Sequence, residues 1–169
     1  MKKCNTRKLT FSALIAAGYI AIMYATQGFA FGPIQMRVAT ALYATSYLFP
    51  FLVAPLALAN MLSNTLMGGL GIFDIAGGLI VGLVTAGLVA LPGKFKRPMW
   101  LVIPPIILAP AFIVSVWLSY LFGLPDWHLV AHPYWAMVIN LALGQTPPAI
   151  LGYILIKALS KRKAELSHE

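Results

Sequence analysis

Acidic side chains are nearly missing from this chain of 169 residues: Asp74, Asp126, Glu165 and Glu169 are the only four. Two lie in the C-terminal tail, so acid–base chemistry would have to draw on Asp74 and Asp126, which sit on separate segments. Cysteine is scarcer still. Cys4 stands alone, which excludes an intrachain disulfide and a thiolate metal cluster. No Walker A sequence and no serine or cysteine nucleophile motif is present, so the chain carries no recognisable nucleotide-hydrolysing or acyl-transfer site of its own.

What fills the sequence instead is apolar: 60% of residues are hydrophobic and only 9% are charged. No soluble domain of this size needs so much apolar material, and the runs are long enough to cross a bilayer at about 20 residues each. The formal net charge of +8 might suggest nucleic acid. The basic residues, however, are not interleaved with aromatics on a polar face. They flank hydrophobic segments, where lysine and arginine act as topological anchors.

The hydrophobic pattern predicts an all-α bundle of six transmembrane helices forming a single integral membrane domain over 1–169. The helices fall at about 9–28, 38–49, 51–67, 72–91, 100–122 and 133–159, at lengths set by the bilayer. Pro50 breaks the second from the third, and Pro147-Pro148 predicts a kink in the sixth. The second is short for a full crossing. The first follows Lys2, Lys3, Arg7 and Lys8, like a signal peptide, but is too long for one and is expected to be retained. Lys94, Lys96 and Arg97 separate the fourth and fifth helices, and Lys157, Lys161, Arg162 and Lys163 end the chain. With six crossings all three clusters share one side, which the positive-inside rule makes cytoplasmic, termini included.

Arg37 belongs to none of these clusters. A lone guanidinium beside lipid is costly, so it pairs, faces water or has a task. The topology places it on the outer side with Gln35, Asp74 and Asp126. Asp74 can pair with it, as a structural link or as part of a ligand site. Asn60 and Asn64, four apart, share a helix face, either as interhelical glue or as amides offering donor and acceptor to a heterocyclic base. Asn140 and Gln145 on the sixth helix pose the same alternatives. Trp127, Tyr134, Trp100 and Trp135 suit an interfacial belt, and Trp127 or Tyr134 can also stack on a planar ligand. His128 and His132 are four apart, but the loop-like sequence and Pro133 leave no metal site expected. On the first helix, Ala13, Ala17, Ala21 and Ala25 form a smooth ridge, widened by Ala16 and Gly18. It serves packing within the bundle or docking of another membrane subunit.

Together these features resemble the substrate-binding S components of energy-coupling factor (ECF) transporters, most closely the QueT family. The sharpest match is Phe31-Gly32-Pro33-Ile34-Gln35-Met36-Arg37-Val38, followed by Ala41-Leu42, which is similar to the family's Gly-Pro-Ile-Gln-x-Arg stretch. Asn64, Gly68-Gly69, Phe73-Asp74-Ile75 and Gly77-Gly78 resemble its Asn…Gly-Gly…Asp region, and the alanine ridge its Ala-x-x-x-Ala contact with a coupling subunit.

The resemblance implies capture of a queuosine precursor, a 7-deazaguanine-type base, by a non-enzymatic subunit in a prokaryotic cell membrane. A transmembrane T subunit and two ABC ATPase subunits would drive transport. The chain itself would hold no cofactor, ATP being used by the partners. It implies substrate contacts from Gln35, Arg37, Asn60, Asn64, Asp74, Trp127, Asn140 and Gln145. Two positions depart from the family pattern: Ala39-Thr40 replaces Ser-Glu, and Gly144-Gln145 replaces Gly-Glu. Two carboxylates are thereby neutral, which leaves open a neutral precursor or another small vitamin-like heterocycle. Two further readings are a small membrane enzyme using Asp74, Asp126 and the histidines, and a solitary gradient-driven transporter.

Overall fold

The computed structural model describes residues 6–31, 35–67, 71–122 and 132–165. Among them every regular element is helical. The α-helices are α1 (Thr6–Ala25), α2 (Gln27–Ala30), α3 (Val53–Leu66), α4 (Ile72–Lys94), α5 (Ile103–Phe122) and α6 (Pro133–Glu165). Three stretches are 3-10 helix: Val38–Tyr47, Pro50–Leu52 and Met99–Val102.

Among the described residues, four helical stretches are long and apolar enough to cross a membrane: Thr6–Ala25, Ile72–Lys94, Met99–Leu121 and Pro133–Arg162. A shorter apolar helix covers Pro50–Leu66. The distribution of side chains fits lipid rather than water. Leu14, Leu66, Ile72, Phe73, Ile80, Val116 and Ile154 are all more than half exposed, whereas Arg37, Asn60, Asn64, Asp74, Asn140 and Gln145 are buried. A soluble domain places these classes the other way round.

The segment expected as a short second helix is instead the 3-10 stretch Val38–Tyr47. Its sequence is dominated by small residues, and Ala39, Thr40, Ala41, Tyr43, Ala44, Thr45 and Ser46 are buried. At about 2.0 Å rise per residue the 3-10 form is longer and thinner than an α-helix of equal length. That suits a strand of chain threaded through the middle of a bundle. It packs chiefly on α6 and α4. Gly152 on α6 makes the approach possible: a Cβ there would stand 2.8 Å from the Ala41 carbonyl oxygen.

Elsewhere α5 packs along α6, α3 along α4, and α1 along α3. One apolar core gathers Tyr19, Met23, Tyr43, Leu56, Val89 and Ile106, among others. A second joins Val81, Val114, Leu118, Met137 and Leu141 between α4, α5 and α6. Pro50 does separate the second segment from the third, opening the short 3-10 turn that leads into α3. The first helix stops at Ala25 rather than continuing to Gly28, with the one-turn α2 following Thr26. α6 is assigned as one unbroken helix through Pro147 and Pro148.

Candidate functional site

Arg37 precedes the 3-10 stretch, and its side chain is 8% exposed. Nη1 donates to Asn64 Oδ1 at 3.2 Å and to Asn60 Oδ1 at 3.4 Å. Nη2 stands 3.7 Å from Asp74 Oδ2, a buried ion pair without a tight hydrogen bond. On its other side the guanidinium carbon lies 4.9 Å from the centre of the Phe31 ring. A guanidinium can be buried here because charge, amide oxygens and an aromatic face all replace its water.

Each of these partners is in turn held. Asn60 and Asn64 lie one turn apart on α3. Their amide nitrogens donate across to α4, from Asn60 to the Gly78 carbonyl at 2.9 Å and from Asn64 to the Asp74 carbonyl at 2.7 Å. The oxygens are thereby turned toward Arg37. Gly78 leaves the necessary room, since a Cβ there would stand 2.6 Å from Asn64 Nδ2. Asp74 occupies the first turn of α4, where the helix dipole favours a carboxylate. Gly71 enters that helix with φ +73, a left-handed conformation natural to glycine.

A second polar contact adjoins Arg37. Thr40 Oγ1 lies 2.7 Å from the Arg37 carbonyl oxygen and 2.8 Å from Gln145 Oε1. One hydroxyl proton serves one of these oxygens at a time. Gln145 Nε2 donates to the Gln35 carbonyl at 3.3 Å, and Gln35 presents that carbonyl from a left-handed backbone, φ +46. For a residue with a Cβ this conformation costs about 1 kcal/mol, so the surrounding packing must hold it.

These groups surround one small cavity. Gln35, Arg37, Thr40, Asn60, Asn64, Asp74 and Gln145 line its polar side, and Val81, Pro110, Val114, Trp117 and Leu141 its apolar side, with Gly78 between. The space open to the centre of a water-sized sphere is about 20 Å³. That suffices for a water or two and is far below a drug-sized pocket.

Six of the eight residues that the sequence nominates for substrate binding therefore share one cavity. Asn140 is buried but does not line it. Trp127 lies outside the described residues, as do Asp126, His128 and the Gly32-Pro33-Ile34 and Gly68-Gly69 parts of the motifs. Among the described residues no group of three His, Cys, Asp or Glu is placed to hold a metal. Thr40 stood out in the sequence only as a departure from a pattern, and it lies at the site's centre. Trp117 was missed. The other three tryptophans fall at segment ends, whereas Trp117 is five residues inside α5, a position that favours an interior task over an interfacial one. Gly77 receives its benzenoid edge in close contact.

The nominated ridge is also placed. Ala13, Ala17, Ala21 and Ala25 are all exposed, whereas Ala16 packs partly against the core. Tyr19, buried on the same helix, reaches Tyr43, with 3.4 Å between their hydroxyl oxygens.

An apolar exterior and helices of spanning length around a buried, charge-compensated polar cavity define a membrane protein. The QueT transporter model matches the chain over residues 9–161, and the protein belongs to that family. QueT is a transporter family. Comparison with curated proteins and with solved structures gave no match.

Proposed function

We propose that the protein is the substrate-capture subunit of an ECF-type ABC importer, taking up a queuosine precursor of the 7-deazaguanine type. The observation that carries this reading is the cavity at Arg37, lined by one guanidinium, one carboxylate and four amide side chains together with apolar residues and an indole. A fused heterocycle has edges rich in donors and acceptors and two apolar faces, so it suits that combination. Arg37 and the α3 amides would read its edge. Trp117, Val114 and Leu141 would cover its faces. Because the observed cavity is so small, admission of the base requires the walls to part and closure returns them.

Six crossings with both termini cytoplasmic would put this cavity toward the outer side. In that arrangement α1 supplies the contact for a transmembrane T subunit through Ala13, Ala17, Ala21 and Ala25. Their exposure as a run of methyl groups supports this, since small side chains let a second helix approach closely. Two ABC ATPase subunits would bind and hydrolyse the ATP, for which this chain has no motif.

Co-expression with a T subunit and ATPase pair tests the proposal directly. The expected result is a stable complex and ATP-dependent uptake of a radiolabelled 7-deazaguanine into proteoliposomes. Uptake by the chain alone under an ion gradient, with no complex formed, would overturn it in favour of a solitary transporter.

A further inference from the structure

Among the described residues, the fully buried lining atoms left without a hydrogen-bond partner have one sign. Among the buried side-chain atoms of its lining that lack a hydrogen-bond partner, both are donors: Arg37 Nη2 and Trp117 Nε1. Arg37 is more than nine-tenths buried, and its Nη2 reaches only to the Asp74 carboxylate at 3.7 Å. A buried donor left unmade is costly, and a ligand that supplies an acceptor removes that cost. Among the described residues the one carboxylate lining the cavity, Asp74, already faces the guanidinium. Elsewhere in the lining, Thr40 and Gln145 are 2.8 Å apart, and Gln145 also holds the Gln35 carbonyl. Two neutral side chains thus occupy each other, and neither brings negative charge.

Building on the 7-deazaguanine reading, we infer that this cavity selects a precursor whose substituent is uncharged and rich in acceptors, and that the Thr40–Gln145 contact is what excludes a cationic arm. A protonated amine here would meet Arg37 in a desolvated space where, among the described residues, the lining carboxylate, Asp74, is already paired with the guanidinium. Its own N–H groups would compete with donors rather than satisfy them. A nitrile or carboxamide of similar size does the opposite, offering its nitrogen or oxygen to Nη2 and to the indole N–H. Discrimination of this kind arises because the wrong ligand leaves buried polar groups unpaired.

The test compares two nearly isosteric probes, 7-cyano-7-deazaguanine and 7-aminomethyl-7-deazaguanine, by calorimetry on the full-length protein in nanodiscs. The wild type should bind the nitrile at least about tenfold more tightly than the amine. Thr40→Glu and Gln145→Glu should each reverse or erase that preference by placing a carboxylate beside the arm. The outcomes separate cleanly. Preference of the wild type for the amine overturns this inference and leaves the deazaguanine reading intact. Binding of neither probe overturns both. Should the glutamate variants fail to fold, the wild-type comparison alone decides. Folded variants that keep the nitrile preference would remove Thr40–Gln145 from the selectivity.

Discussion

At the scale of single residues the molecule turns on whether Arg37 holds the fold, the ligand or both. Removing the guanidinium leaves the Asp74 carboxylate buried without a counter-charge, so Arg37→Met should cost about 3 kcal/mol of stability. Neutralising both partners, Arg37→Met with Asp74→Asn, removes the orphaned charge and should recover most of that loss. Ligand binding distinguishes the roles. If Nη2 meets the ligand, the double variant regains its melting temperature and stays at least about tenfold weaker in binding. Recovery of both properties would assign Arg37 to structure alone. Gly78 offers a gentler probe of the same wall. Gly78→Ala presses a methyl on Asn64 Nδ2, so the amide that accepts from Arg37 must turn away. Binding should weaken several-fold, by the loss of one buried hydrogen bond, while circular dichroism stays helical.

Elements carry a different division of labour, and α1 is the clearest instance. One of its faces buries Tyr19 and Met23 against the core, and another exposes Ala13, Ala17, Ala21 and Ala25. Ala17→Leu or Ala21→Leu adds bulk only on the exposed side. Complex yield or ATP-driven uptake should fall about tenfold, equivalent to about 1.4 kcal/mol of association, with the affinity of the isolated subunit for its ligand unchanged. A parallel loss of binding would show that the substitution disturbs the bundle through Tyr19 instead. The four long apolar helices and the shorter one over Pro50–Leu66 were legible in the sequence because hydropathy and proline breaks mark them strongly. The 3-10 form of Val38–Tyr47 was not, since over ten residues apolar on nearly every side the periods 3.0 and 3.6 leave the same trace. The site was legible where polarity contradicts its surroundings, at Arg37, Asn60, Asn64, Asp74 and Gln145. It was hidden where the functional surface is made of ordinary membrane residues. Nothing local separates Val81, Pro110 or Leu141 from their lipid-facing neighbours, and only the packing of α4, α5 and α6 brings them together.

For the whole molecule the decisive property is which way it faces. The basic clusters near α1, between α4 and α5, and at the end of α6 argue for cytoplasmic termini and a cavity reached from outside. The turn after α4 and the start of α6 are separated by one helix, α5, so they must emerge on opposite sides if α5 crosses the bilayer. Two exposed residues report on them, Lys96 in that turn and His132 before α6. In a Cys4→Ser background, Lys96→Cys and His132→Cys each supply one thiol for a membrane-impermeant maleimide. Intact cells should label His132→Cys and spare Lys96→Cys, and opening the membrane should expose the second as well. The reverse pattern would turn the cavity toward the cytoplasm and make the protein an unsuitable receptor for an external ligand. Equal labelling of both in intact cells would mean that α5 does not span. Either result bears on uptake more directly than any change within the site, because a capture subunit works only if its cavity opens to the side where the substrate is found.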